Sequence, residues 1–348
     1  MGDNGSGKTT VLQALALASL GPAARESQLP LRKFVRFPSG KSKPVKDPAA
    51  TTITASLRLH AQDGTEKEWA ESVLRFKSKR ELERLEFDDS THEPSFWEPV
   101  FESQNEAFFC AAYGATRRVE AGESFDRGAA QKAPFLGGQR LQSMFQESFA
   151  LFPLAYWLPQ LKASNRGRYT QVVRLLNHLL GPGHYRFTEE IREGEYLFER
   201  GGMRVPFRSL SDGYRAFIAW VTDLLYHVCY GCPSGKRLIE SAGIVLVDEI
   251  DLHLHPKWQM QVVNTLARAL PRMQFVLTSH SPLIASSLEW MNIITLQVND
   301  RSNRTETGRL KHSIHGLDAD QMLLTDFFGL KTTRAAGKVS ELDNLQRK

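Results

Sequence analysis

A chain of 348 residues with 41% hydrophobic and 24% charged side chains has the composition of a globular protein. It can bury a sizeable core in one large domain or two modest ones. Its formal charge of +5 and pI near 9.0 permit an anionic partner without demanding one. Three cysteines, at 110, 229 and 232, argue against a disulfide scaffold and for a reducing compartment. No run approaches the roughly 20 apolar residues of a membrane span, since Asp223 interrupts the longest candidate, over 217–228. The expectation is a cytoplasmic protein with no membrane partner.

The chain opens on Gly2-Asp3-Asn4-Gly5-Ser6-Gly7-Lys8-Thr9, the full G-x-x-x-x-G-K-[ST] pattern, followed by Thr10. Glycines let such a loop curl so that successive N–H groups face phosphate oxygens. The lysine adds a point charge, and the threonine hydroxyl can reach Mg²⁺. A helix over about residues 8–18 adds the positive end of its dipole. This loop and helix already account for two apparent targeting signals, a myristoylation pattern over residues 1–6 and a short signal-like apolar run after Lys8. Such a loop ordinarily leaves a buried central strand. The expectation is therefore that the natural protein starts roughly 20–30 residues earlier, with an apolar strand before the loop.

Residues 20–50 are rich in proline and basic side chains and read as loop. Residues 52–60 alternate Ile53, Ala55, Leu57 and Leu59, the period of a half-buried strand. Residues 64–87 are densely charged and fit either a strand pair or a short helix. A compact apolar run over 107–113 predicts a buried strand, and the glycine-rich stretch 114–140 a long irregular loop. Helices are expected over 141–152 and 168–180, the second stopped by Gly181-Pro182. Short strands follow over 185–188, 196–200 and 203–207, the last two joined at Gly201-Gly202. From Leu210 onward helix and strand alternate, as an α/β sheet requires.

Gly243-Ile244-Val245-Leu246-Val247-Asp248-Glu249 carries the second strong pattern. A nearly continuous apolar, β-branched run suits a strand buried on both faces, with two carboxylates at the end where α/β sheets bind ligands. Asp248 is suited to hold Mg²⁺ and Glu249 to orient or deprotonate a water; adjacent acids that merely cap a strand are the bland alternative. A further strand over 274–278 ends in Ser279-His280-Ser281-Pro282, placing a histidine where it could sense a terminal phosphate. Before these, Leu210-Ser211-Asp212-Gly213-Tyr214 precedes an apolar helix over 216–228. Ser211 and Gly213 could meet an anion there, and a plain Ser/Asp helix cap accounts for them equally well. Cys229-x-x-Cys232 has metal-ligand spacing but no second pair, so two ordinary thiols are the simpler reading.

The order of these patterns resembles the ABC-type ATPases, and within them the RecF/SMC-like branch that includes many bacterial repair and phage-defence ATPases. Asp248-Glu249-Ile250-Asp251-Leu252-His253-Leu254-His255-Pro256 with Gln259, then Thr278 through Pro282, is very close to that branch's pattern. The resemblance implies a P-loop NTPase fold, α/β, with a mixed sheet flanked by helices and an inserted α+β or helical region. Residues 1–20 and 205–300 would form the ATPase core. The stretch 21–204 would supply the rest of the core sheet and the inserted lobe, and 301–348 a helical tail. Asn4, Gly5, Gly7, Lys8, Thr9 and Thr10 would bind ATP, Thr9 and Asp248 Mg²⁺, and Glu249 and His280 would serve catalysis. Ser211 and Gly213 would contact ATP bound to a second copy, so that a homodimer sandwiches the nucleotide. Asp212 and Tyr214 depart from the transporter form of this signature. The family's Gln-bearing loop is not obvious in this sequence; Tyr113–Arg117 stands where the resemblance would place it, and Arg117 could substitute for the glutamine. The separation of Lys8 from Ser211 excludes the compact transporter domain, and the lack of heptads a long-armed tether.

The implied function is ATP hydrolysis driving a switch in DNA repair or phage defence; the alternative is a nucleotide-binding scaffold without turnover. Arg32, Lys33, Arg36, Lys41, Lys43 and Lys46 could touch DNA phosphates or form a solvated loop, the commoner outcome. Met322, Leu323, Leu324, Phe327, Phe328 and Leu330 fit core packing or a partner's docking site. No nuclease motif is identifiable, so any cutting would need an effector protein such as a nuclease.

Overall fold

The computed structural model describes residues 1–21, 24, 27, 29, 52–60, 66–76, 85–88, 109–117, 136–181, 185–299, 302, 304–309 and 317–325. The basic stretch over 32–46, the glycine-rich 118–135 and the apolar tail residues beyond 325 lie outside the described residues. In chain order the elements are α1 (Lys8–Leu20), β1 (Thr52–His60), β2 (Glu66–Phe76), β3 (Leu85–Asp88), β4 (Cys110–Tyr113), α2 (Leu136–Gln139) and α3 (Gln142–Phe145). Next come α4 (Leu154–Ser164), α5 (Arg166–Leu180), β5 (Arg186–Arg192), β6 (Glu195–Arg200), β7 (Met203–Pro206), α6 (Asp212–Gly231) and β8 (Gly243–Val247). The last are α7 (Pro256–Gln259), α8 (Val262–Ala269), β9 (Met273–Leu277), α9 (Pro282–Ser286), β10 (Ile294–Asn299), β11 (Arg304–Arg309) and α10 (Ala319–Leu323). The chain divides into two compact units, residues 9–253 with 264–277, and residues 1–8, 254–263 and 278–348.

The larger unit is built on a parallel sheet in the order β4-β8-β9, with Tyr113, Val247 and Leu277 in register at its end. Val245, Leu246 and Val247 are fully buried, as the continuous apolar run predicts for a strand covered on both faces. Helix α1 buries Leu12, Ala16, Leu17 and Leu20 in a cluster that includes Cys110, Ala112, Leu246, Met144 and Phe145. In α6, Phe217, Ile218, Trp220, Val221, Leu224, Leu225 and Val228 are buried, so the helix is apolar on nearly every side and packs on α4, α5 and β4.

One polar group sits inside that apolar helix. Asp223 is 2% exposed, accepts from the Tyr113 hydroxyl at 2.8 Å and from the Phe152 N–H at 2.8 Å, and lies 3.5 Å from a buried His227. Burial pushes its carboxyl from 3.8 up to about 7 and holds His227 well below its ordinary value. The folded carboxyl thus keeps a proton that an unfolded aspartate has lost. That contribution to stability is complete below about pH 3.8 and is lost as pH rises through about 7. Asp223→Asn, which keeps an acceptor for Phe152, should flatten this part of the pH–stability profile. Asp223→Ala should cost about 1–3 kcal/mol for each of the two orphaned donors. Denaturant midpoints between pH 4 and 8 check both expectations.

Helices α4 and α5 pack together and on α6, and a separate antiparallel sheet β5-β6-β7 precedes the 3₁₀ turn Phe207–Ser209. The expected helix over 141–152 shrinks to α3, while α4 arises where none was predicted. Pro159 inside α4 costs the helix roughly 3 kcal/mol. Burial of Leu154, Trp157, Leu158 and Leu161 offsets this at about 1.5–3 kcal/mol each. The ambiguous 64–87 stretch forms strands: β1, β2 and β3 make an antiparallel sheet, with Ile53 opposite Leu74 and Leu74 opposite Phe87.

In the smaller unit β10 pairs with β11 antiparallel, and Gly2 bridges Leu296 of β10 in parallel. The Met1 carbonyl accepts from the Leu296 N–H at 2.8 Å, so the residues entering the phosphate loop run alongside β10. Met1, Leu288 and Leu317 pack against buried Ala285 and Ile293 in an apolar cluster.

Candidate functional site

The phosphate loop turns on two left-handed glycines, Gly5 at φ 78° and Gly7 at φ 88°, with exposed Asp3, Asn4 and Gly5 around them. Inside the loop Ser6 is buried, and its carbonyl accepts from the Thr305 hydroxyl at 3.1 Å. Lys8 is buried too, and its ammonium donates to the carbonyls of Gly2 and Asp3, both at 2.8 Å. These residues and His280 belong to the smaller unit; Thr9, Thr10, Ser211, Gly213, Asp248 and Glu249 belong to the larger.

In the larger unit the fold brings together two predicted residues that lie 239 positions apart in the chain. The Thr9 hydroxyl donates to Asp248 Oδ2 at 2.7 Å. Helix α1 presents Thr9 in its first turn, and β8 ends at Val247, so Asp248 emerges from the buried central strand. A hydroxyl and a carboxylate are hard oxygen donors of the kind Mg²⁺ takes, so the pair fits that ion. Glu249 follows at φ 47°, a left-handed conformation that costs a non-glycine residue about 1–2 kcal/mol. The Leu252 N–H donates to the Glu249 carbonyl at 3.0 Å, which turns the chain back after the two acids.

Ser211 is the N-cap residue of α6 at φ −63° and ψ 156°, yet its hydroxyl makes no capping hydrogen bond. The Asp212 carboxylate instead accepts from Arg215 one turn on. A helix cap therefore accounts for the backbone at Ser211 and not for its side chain. Gly213 has a steric reason of its own, because a Cβ there would lie 2.2 Å from the His253 carbonyl oxygen. Gly213→Ala should force the 249–253 loop or α6 to shift, at about 1–3 kcal/mol. A parental denaturant midpoint in that variant would contradict this close approach.

Ser281 and Pro282, beside His280, are occupied in starting α9. The Ser281 hydroxyl accepts from the N–H groups of Leu283 and Ile284 and donates to Gln259 at 2.6 Å. His255 likewise caps α7, accepting from the Lys257 N–H at 3.3 Å, and Pro256 is the first residue of that helix. Cys110, Cys229 and Cys232 are buried free thiols.

Two contacts went unread in the sequence. Asp223 stands out there as a charge interrupting an apolar run, the one signal that it would need a buried partner such as Tyr113. Arg117 is 6% exposed and reaches the main chain of both acids, donating to the carbonyls of Glu249 at 2.6 Å and Asp248 at 3.4 Å. Burial lowers its guanidinium to about 10, while Asp248, Asp251 and Glu249 act in the opposite direction.

A parallel sheet whose central strand ends in an Asp-Glu pair, and a glycine-rich phosphate loop that opens a helix, define a P-loop ATPase of the SMC/RecF-like kind. Residues 1–286 match the family described as "AAA domain, putative AbiEii toxin, Type IV TA system", and the chain belongs to that family. It is similar to "Septu protein PtuA" of Bacillus mycoides (strain KBAB4), 26% identical over 333 residues, covering 96% of this chain and 41% of that protein. It is also similar to "Retron Vc95 probable ATPase" of Vibrio cholerae serotype O1 biovar El Tor, 40% identical over 89 residues, 26% of this chain and 17% of that protein. The chain thus spans less than half the length of these relatives. An SMC head bound to the C-winged helix domain of ScpA shares the fold, with TM-score 0.50 and 14% identity over 89% of this chain and 88% of that one. Among the described residues no helix is long and apolar enough to cross a membrane.

Proposed function

We propose that this chain binds MgATP and hydrolyses it between two head-to-tail copies, acting as the ATP-driven switch of a phage-defence system. The observation that carries the reading is the Thr9–Asp248 hydrogen bond at 2.7 Å, with Glu249 next in the chain. In this reading the loop amides of Asn4, Gly5 and Gly7 cradle the phosphates, with Lys8 on the terminal pair and Thr10 at the helix start. Thr9 and Asp248 hold Mg²⁺, which when bound neutralises phosphate charge. Glu249 accepts the proton of the attacking water, and His280 donates to the terminal phosphate and registers its departure. Ser211 and Gly213 of the second copy complete the pocket, supported by a Ser211 hydroxyl that serves no cap. The core is residues 1–20 with 205–300, and 301–348 form its tail. Septu and retron relatives favour defence over DNA repair as the setting, with an effector protein such as a nuclease as the partner to seek and DNA as a second ligand.

The test is phosphate release by the purified chain with MgATP, alongside its mass in solution with and without nucleotide. Turnover accompanied by ATP-dependent dimerisation supports the reading. Tight ATP binding without phosphate release identifies a nucleotide-bound scaffold instead.

A further inference from the structure

The stretch that leaves β4 returns to the end of β8 through one side chain. The Tyr113 carbonyl accepts from the Asp248 N–H at 2.8 Å, and four residues on, Arg117 donates to the carbonyls of Glu249 and Asp248. Behind it, Tyr113 is anchored to Asp223 of α6 inside the core, so Arg117 projects from a fixed strand end. The turn it grips is unusual: Glu249 at φ 47° and His253 at φ 64° both hold left-handed backbone, and Arg117 itself sits at φ 33°. Such conformations persist where the surroundings over-determine them. At Glu249 the surroundings include the Leu252 N–H and the Arg117 guanidinium, which share its carbonyl oxygen.

We propose that Arg117 is a positioning residue for hydrolysis, holding the Asp248–Glu249 main chain so that Glu249 keeps the left-handed conformation presenting its carboxylate. The inference rests on Glu249 being the hydrolytic base. Both bonds leave one guanidinium nitrogen, Nη2, held one bond further from the backbone than a lysine ammonium would be, so lysine reaches the two carbonyls with poorer geometry. Loss of the clamp lets Glu249 relax to an ordinary backbone conformation and carries its carboxylate away. It leaves the phosphate loop and the Thr9–Asp248 side chains to bind nucleotide as before.

The test uses the full chain with Arg117→Ala and Arg117→Lys, each alone and combined with Glu249→Gln. Arg117→Ala should lower kcat about 100-fold or more, the scale of an ångström's misplacement at a reacting group. Its MgATP dissociation constant should stay within about threefold of the parent, and Arg117→Lys should recover only part of the loss. Added to Glu249→Gln, Arg117→Ala should cost no more than about twofold, because it acts through the residue already removed. In the nucleotide-free protein, amide exchange across 249–253 should quicken about tenfold or more while β8 keeps its protection. Near-parental turnover in Arg117→Ala overturns the proposal. So do equal losses of affinity and turnover, additivity with Glu249→Gln, or faster exchange throughout β8. If Glu249→Gln itself turns over normally, the base assignment fails and takes this inference with it. If Glu249→Gln is inactive while Arg117→Ala is active, the positioning role alone fails.

Discussion

Glu249→Gln is expected to bind MgATP with parental affinity while turnover falls about 10²–10⁴-fold, the usual contribution of a general base. The amide is nearly isosteric with the carboxylate, so the turn at φ 47° and the Arg117 and Leu252 bonds to its carbonyl need not change. What disappears is the capacity to accept a proton from water. Nucleotide that cannot be cleaved then holds two copies together, and the variant should run as a dimer with ATP and as a monomer with ADP. Because affinity is spared and only kcat falls, the loss reads as transition-state stabilisation rather than ground-state binding. Turnover within a few fold of the parent would remove Glu249 from the mechanism.

Ser211→Arg should have the second largest effect, of a different kind. Ser211 is exposed, and its hydroxyl makes no bond to the first turn of α6, so the substitution costs the fold little. In the proposed dimer, an arginine there would fill the space where the second copy's nucleotide docks with a bulky cation. Each monomer should still bind MgATP with parental affinity, while ATP-driven dimerisation and turnover fall to background. Equilibrium binding to dilute protein and light scattering at higher concentration separate the two steps. Should the variant only melt earlier, with normal activity per folded molecule, Ser211 is a helix-start residue and nothing more.

Several strands were legible because their local pattern and their tertiary fate agree. The apolar run over 243–247 becomes the buried centre of a parallel sheet, and the 52–60 alternation becomes β1. The phosphate loop and the Asp-Glu pair could be read because few local structures demand glycines, a lysine and paired acids at those spacings. What stayed hidden depends on partners distant in sequence. Helix α4 is written against by Pro159 and made by the burial of Trp157 and Leu158. Asp223 makes sense only beside Tyr113, and Arg117 only beside the main chain of residues 248 and 249. The reason for Gly213 likewise lies in the carbonyl of His253, which no local pattern announces.

The Lys8 ammonium, tied at 2.8 Å to the carbonyls of Gly2 and Asp3, changes how a familiar experiment should be interpreted. A lysine that braces its own loop is a brace as well as the proposed phosphate ligand, and deleting it would remove both at once. Lys8→Ala would leave two carbonyl groups seeking other donors, and the loop would be free to leave the curled shape set by Gly5 and Gly7. Lost nucleotide binding in that variant therefore measures a collapsed receptor as much as a missing charge. Chemical neutralisation of the folded protein, or comparison of loop amide exchange with and without Lys8, would tell one from the other.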